Sequence, residues 1–187
     1  MRIGGLVLAA GEGRRFGATK QLAPLGGRPL LGHVVDHMLR VEALDPVVVV
    51  LGHDAAAVRA GVPELERVEV VVAEDWHDGQ SASLRAGVSA LGDVDAAVVM
   101  LGDMPFVTPQ AIAGVVGLAG HEAVRATYAG TPGHPVLLGR QLLDRVDELE
   151  GDAGFAPLLE HADVTTFEAG HLADPTDIDT REELASR

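Results

Sequence analysis

Three cations in a glycine loop are the first residues with the means to do chemistry. The run Leu6-Val7-Leu8-Ala9-Ala10-Gly11-Glu12-Gly13-Arg14-Arg15-Phe16-Gly17-Ala18-Thr19-Lys20 passes from a short apolar stretch through small residues into glycines carrying Arg14, Arg15 and Lys20. That pattern predicts a buried strand running into a loop whose backbone can approach a ligand closely. Its cations then face something negative, phosphates before anything else. Asp103 is the second candidate. It follows the apolar run Ala96-Ala97-Val98-Val99-Met100-Leu101 and Gly102, which places it at the carboxyl end of a buried strand, where open α/β sheets collect ligands. A carboxylate there suits a Mg²⁺ bound to a nucleotide, or it caps the next turn. Asp174, Asp177 and Asp179 precede a short C-terminal helix, and capping alone does not account for three acids.

Two familiar phosphate loops are absent. A dinucleotide fingerprint opened by Gly11 and Gly13 needs glycine at 16, which is Phe, with glycine one place late at 17. A Walker loop needs Gly-Lys-Ser/Thr after four spacers, and no such run occurs.

The bulk properties narrow the class. The chain has 187 residues, enough for one domain with a sizeable core. Hydrophobic residues make up 47% but aromatics only 3%, so the core must be Val, Leu and Ala, the filling of buried parallel strands and their helices. A net charge of −14 with no basic run outside the loop argues against nucleic acid, whose phosphates demand a positive surface. There are no cysteines, so disulfides and thiolate metal sites are excluded. No apolar run is longer than a strand and no signal-peptide pattern is present, so a soluble cytoplasmic protein without membrane partners is expected.

Periodicity supplies the elements that must position these residues. Leu30, Leu31, Val34, Val35, Met38 and Leu39 predict an amphipathic helix opened by Pro29, with His33 and His37 on a solvated flank. Val47–Leu51 and Val68–Val72 predict strands, with Gly52-His53-Asp54 a turn between them into a short helix. Ser81 is placed to cap a helix running to about Leu91 or, alternatively, to frame a ligand at that helix's N-terminus. Trp76 reads as a plug holding its polar loop on the core. Pro109 opens a helix to Leu118. Beyond it, residues 123–128 and 136–138 look like strands around a loop at 129–135 fixed by two glycines and two prolines. Helices are expected at 139–146 and 156–161, a strand at 164–167, and a last helix from Arg181 capped by Thr180 or Asp179. Alternation of strand and helix to about residue 118 gives an α/β class with a largely parallel sheet, and residues 121–170 add an antiparallel excursion along one side of the site.

Taken in order, these motifs resemble the MobA/MocA-type nucleotidyltransferases across nearly the whole chain, most closely the MocA-like molybdenum cofactor cytidylyltransferases. The carriers are Leu8-Ala9-Ala10-Gly11 with Arg15-Phe16-Gly17 and Lys20; Trp76 with Gly79-Gln80-Ser81-Ala82-Ser83-Leu84; and Gly102-Asp103-Met104-Pro105. They continue with Gly133-His134-Pro135, Gly151-Asp152-Ala153-Gly154, and Asp177-Ile178-Asp179-Thr180. The resemblance implies a single three-layer, Rossmann-like nucleotidyltransferase domain over 1–187, with a nucleotide part to about 118 and an acceptor part from about 119. It implies a Mg²⁺-dependent transfer of a nucleoside monophosphate, from CTP before GTP, to a phosphorylated acceptor of molybdopterin type, with pyrophosphate released. Leu8, Ala9, Ala10, Gly11, Gly13, Gly79, Ser81 and Ser83 would then bind the nucleotide, with Arg15, Lys20 and Asp103 both binding and catalytic. Asp103 and Asp179 would hold the metal, and His134, Pro135 and Asp152 would face the acceptor. A molybdoenzyme client is a further implied partner. Other readings are a transferase using GTP or another phosphorylated metabolite, and a nucleotide-binding assembly factor that does not turn over. Two places depart from the family pattern: Ala73 stands where asparagine is usual, and Phe155-Ala156 where alanine and arginine are usual.

Overall fold

The computed structural model describes all 187 residues. Strand β1 (Ile3–Ala9) is buried along its whole length, as its unbroken apolar and glycine run requires. A small antiparallel hairpin of β2 (Pro24–Leu25) and β3 (Arg28–Pro29) leads into α1 (Leu30–Leu39). There follow β4 (Leu44–Leu51), α2 (Ala55–Gly61), β5 (Glu69–Val72), α3 (Gln80–Leu91), β6 (Ala96–Leu101) and α4 (Pro109–Val116). The second part comprises β7 (Ala123–Tyr128), β8 (Thr131–Gly139), α5 (Arg140–Leu143), α6 (Ala156–Leu159), β9 (Val164–Glu168) and α7 (Arg181–Ala185).

Seven strands form one sheet in the order β5-β4-β1-β6-β8-β7-β9. β5, β4, β1 and β6 run parallel, whereas β8 is antiparallel to both of its neighbours, β6 and β7. The chain builds outward from β1 to β4 and β5, then crosses back to place β6 on the other side of β1. The loops after β1 and β6 therefore part at the carboxyl edge and leave a crevice there. Helices cover both faces: one core packs α1, α2 and α4 residues such as Leu31, Val35, Val58 and Ile112, the other α3, α5 and α6 residues such as Leu84, Leu91, Leu142 and Leu158. This is the expected three-layer, mostly parallel α/β arrangement. No helix is long and apolar enough to cross a membrane.

Several local expectations differ from the structure, each for a physical reason. The loop expected at 129–135 contracts to the turn Ala129-Gly130, and β8 begins at Thr131. Its two prolines are tolerated because β6 pairs only with Val136–Gly139, so around Pro132 and Pro135 one edge of the strand needs no N–H. Glu168 fixes the turn, accepting hydrogen bonds from the Ala129, Gly130 and Gly170 amides and the Thr127 hydroxyl, which hold its carboxyl down at about 2. The helix expected over 139–146 stops at Leu143, because the Arg145 amide bonds three residues back, to Leu142, and tightens the turn. His33 and His37 are not solvated; half-buried, they meet the carbonyls of Leu25 and Val107, each at 2.8 Å. Ser81 does not cap α3. Gly79 holds that position at φ +108°, and Ser81 lies buried in the first turn.

Gly52, just past β4, shows how tightly the sheet edge is packed beneath the loop. A Cβ there would stand 2.7 Å from the Ala10 carbonyl oxygen and 2.7 Å from Trp76 Cβ and Cγ. Neither neighbour is a flexible side-chain tip. Gly52→Ala is expected to destabilise the protein by about 1–3 kcal/mol through overpacking. At roughly 2–4 °C per kcal/mol for a domain of this size, circular-dichroism melting should show a lowered midpoint.

Candidate functional site

The glycine loop is held from three sides. The Leu8 carbonyl accepts from the Gly102 amide at 2.8 Å, and the Ala10 carbonyl from the His53 amide at 3.1 Å. Gln21, almost fully buried, donates both amide hydrogens, to the Ala9 carbonyl at 2.8 Å and the Gly11 carbonyl at 2.9 Å. Gly13 turns the chain at φ +66°, where a Cβ would press on the Ala18 carbonyl oxygen at 2.9 Å.

The chain from Asp177 to Thr180 returns to this loop and is anchored by Ile178. Fully buried, Ile178 packs with Phe16, Ala23 and Leu30 and donates its amide to the Asp103 carbonyl at 2.9 Å. That leaves Asp177 and Asp179 on either side of it. Thr180 then caps α7 in a full capping box: its hydroxyl accepts from the Glu183 amide, and the Glu183 carboxylate accepts from the Asp179 and Thr180 amides at 2.7 and 2.8 Å. Of the two expected caps, Thr180 is the one used, and Asp179 is free to face the site.

The charges converge there. The Lys20 ammonium lies 2.8 Å from Asp103 Oδ2 and 2.9 Å from Asp179 Oδ1, with its side chain only 12% exposed. The exposed Arg15 guanidinium reaches Asp179 Oδ2 at 2.6 Å. Burial pulls the Lys20 pKa down, yet the two carboxylates outweigh it and the net shift is upward. Burial raises Asp179, but Lys20 and Arg15 hold it below the usual carboxylate range. Asp177 moves the other way, raised by burial and by the charge of Asp179. Arg14 pairs with Glu12 at 2.7 Å in solvent.

Beside this cluster lies a cavity of about 430 Å³ over the glycine loop. Leu8, Ala10, Gly11 and Gly13 line it from β1 and the loop, and Gly79 and Ser83 from the start of α3; Asp103 and Asp152 complete the expected residues within it. Trp76, edge-on to His53 at 5.4 Å, is a wall of this cavity and not merely a plug. A smaller cavity of about 90 Å³ adjoins it, with Ala9, Lys20, Gln21 and Asp103 on its walls. A third, of about 480 Å³, shares Leu101 with the first and is lined by Met104, Tyr128, His134 and Asp177.

The structure thus brings together most of the expected nucleotide residues, while Ser81 is buried beneath the cavity and outside its lining, its hydroxyl without a partner. The three acceptor residues do not share one cavity. His134 lines the third, Asp152 the first, and Pro135 is buried in β8. The Asp152 turn sits where it does because Gly79 and Gly151 touch backbone to backbone, leaving no room for a Cβ on Gly79. Gln21 is the residue sequence reasoning missed; the only signal was a polar side chain next to Lys20 in a stretch otherwise bound for the core.

The carboxylates fit a hard divalent cation. Asp103 and Asp179 already converge on one positive point, and Asp103 Oδ1 is buried with no partner. Nowhere do three His, Cys, Asp or Glu side chains form a cage. Two carboxylates without a cage suit an ion that completes its shell with phosphate oxygens and water, the habit of Mg²⁺.

Comparison with known proteins places these features in context. The sequence model of the MobA-like NTP transferase domain matches residues 5–166. The bifunctional protein GlmU of Mycolicibacterium paratuberculosis is 34% identical over 171 residues, covering 86% of this chain; the chain spans about a third (33%) of that protein. Nicotine blue oxidoreductase of Paenarthrobacter nicotinovorans is 30% identical over 192 residues, covering 96% of this chain and 93% of that one. The crystal structure of Rv0371c from Mycobacterium tuberculosis H37Rv superposes with a TM-score of 0.89 at 32% identity, covering 100% of this chain and 96% of that one. A manganese complex of Rv0371c superposes at 0.83 and 30%, covering 100% and 97%.

His134 carries the clearest pH consequence. Burial, helped by the charge of Arg125, lowers its pKa to about 4, and its Nε2 is enclosed without a partner while the ring packs edge-on to Phe155 at 5.6 Å. The folded protein keeps this imidazole neutral where the unfolded chain, near 6.5, would take a proton. Stability should therefore be unaffected by His134 above pH 6.5 and fall as pH drops from 6.5 towards 4. At 1.36 kcal/mol per pKa unit, the loss is about 3 kcal/mol at most. Urea unfolding of wild type and His134→Gln across this range should show the variant's profile flatter by that amount.

Proposed function

This chain belongs to the MobA-like NTP transferase domain family, and on that premise we propose that it transfers a nucleoside monophosphate from CTP to a phosphorylated acceptor of molybdopterin type. The observation that carries the proposal is the Lys20 ammonium held between Asp103 and Asp179, with Asp103 also lining the cavity over the glycine loop. A triphosphate has a reason to lie there, and a base and ribose have room between Trp76 and the start of α3. The cytidine preference rests on the resemblance of Gly133-His134-Pro135 and Gly151–Gly154 to the MocA-like pattern; the second of these segments contributes Asp152 to the cavity.

In this reading an oxygen of the acceptor's phosphate attacks the α-phosphorus in line. The bond from that phosphorus to the bridging oxygen breaks, and the electron pair leaves with pyrophosphate. No protein nucleophile is required. Lys20 and Arg15 meet the charge that builds on the departing phosphates, so catalysis is positioning and neutralisation. As Lys20 turns to the phosphates it releases Asp103 Oδ2 and Asp179 Oδ1, the pair that would hold Mg²⁺. The ion would supply further charge withdrawal from the phosphate oxygens. The acceptor body would occupy the cavity beside His134, which shares Leu101 with the first. A molybdoenzyme receiving the product is the natural client of such a transfer.

A second reading has one observation behind it: the relative matched over nearly its full length is named an oxidoreductase. A dinucleotide would need the same cavity but not the Lys20 cluster. Thermal unfolding with CTP, GTP, ATP, UTP, NADH or NADPH, each with and without Mg²⁺, separates these. A ligand at about 100 times its Kd adds roughly 2.7 kcal/mol of stability. Mg²⁺-dependent stabilisation by CTP above the others is expected. A GTP preference would move the protein to the guanylyl branch, stabilisation by NADH or NADPH alone would favour the oxidoreductase, and no response to any nucleotide would overturn the site. Asp103→Asn should weaken the Mg²⁺-dependent part of CTP binding and, at saturating CTP, lower pyrophosphate release by at least about a hundredfold, the scale on which removing a charge-stabilising group acts. A carrier would release no pyrophosphate in either form.

A further inference from the structure

Gln21 presents its two ends to different tasks. Its amide nitrogen faces the carbonyls of Ala9 and Gly11, and this fixes the orientation, since the flipped amide would set an oxygen against two oxygens. Its Oε1 is then buried with no hydrogen-bond partner. Asp103 Oδ1 is in the same condition, and both residues line the 90 Å³ cavity that Lys20 also borders. Native structures rarely leave buried acceptors unpaired. Two such acceptors, one of them a carboxylate oxygen, on residues that border one small polar cavity call for a donor or a cation. The cavity has room for several waters.

We propose that Gln21 is an outer-shell member of the divalent-cation site, its Oε1 accepting a hydrogen bond from a water bound to the cation that Asp103 holds. This rests on the cation reading of Asp103 given above. Gln21 is then a positioning residue with two outputs. Its nitrogen sets the curve of the loop between Ala9 and Gly11, its oxygen orients the cation's water, and one side chain couples the two.

The test is Mn²⁺ binding, followed by the loss of the free-ion electron paramagnetic resonance signal, without nucleotide and with CTP, for wild type, Gln21→Met and Gln21→Glu. Melting curves establish that each variant is folded. Met removes both the donor and the acceptor, and Mn²⁺ affinity is expected to fall by roughly tenfold or more, as for other outer-shell changes. Glu keeps an acceptor and adds charge, so Mn²⁺ affinity is expected to match or exceed wild type even though the loop contacts are lost. The opposite response of the two variants is what a purely structural role would not produce. If both lie within twofold of wild type, or both weaken equally, the proposal is overturned and Gln21 only braces the loop. If wild type itself binds no Mn²⁺ under either condition, the cation reading of Asp103 falls, and this inference with it.

Discussion

The arrangement around Lys20 depends on an ammonium that two carboxylates must share. Its partners lie 83 and 159 residues away, so the contact ties the loop after β1 to the loop after β6 and to the approach to α7. A lysine whose side chain is largely buried is costly unless its charge is met, and here it is met twice, with Arg15 relieving the excess negative charge on Asp179. Remove the lysine, and three aspartates at positions 103, 177 and 179 crowd one edge of the sheet with a single exposed arginine between them and mutual repulsion. Asp177 is already raised by burial and by the charge of Asp179.

The sheet explains why this meeting occurs where it does. β1 and β6 are adjacent and parallel, so their following loops leave the same edge, and the reversal of strand order at that point keeps either loop from covering the other. The C-terminal segment has no strand to hold it. Ile178, in a small cluster with Phe16 and Leu30, and the capping box by which Thr180 starts α7 place it, while Arg181 donates to the Phe16 carbonyl at 3.2 Å and Arg187 pairs with Asp174 at 2.7 Å. In the triplet Asp177-Ile178-Asp179 the middle residue is buried and its two neighbours are not.

Much of this was legible in the residues, and what was not has a common cause. The parallel strands declared themselves as apolar runs, and the glycine loop and Asp103 followed from where such runs end. The β7–β8 region misled because prolines usually forbid a ladder; only the length of β6 reveals that Pro132 and Pro135 lie where one partner strand is already missing. Ser81 looked like a cap because its type suits one, but a contact with Gly151, about seventy residues away, makes Gly79 the residue that starts α3. Gln21 gave almost no signal, since its role is defined by two carbonyls and an enclosed oxygen that composition and periodicity do not record. Side chains that act through distant backbone are silent in sequence, whereas those that end a strand are not.

The net charge of −14 bears on how such a site works. A strongly acidic protein repels a triphosphate at long range, and beyond about a Debye length salt removes most of that repulsion. Affinity must then come from the last few ångströms. In this protein the short-range cations are few: Lys20 enclosed, Arg15 on the rim, and Arg14 already engaged by Glu12. The cation of greatest local effect is bound to the very carboxylates that a metal would need. Phosphate and metal therefore solve each other's problem, because phosphates draw Lys20 away from the aspartates and a metal replaces the charge it leaves. On the proposed reading, the place where Lys20 rests is a reason for the nucleotide to arrive with its metal.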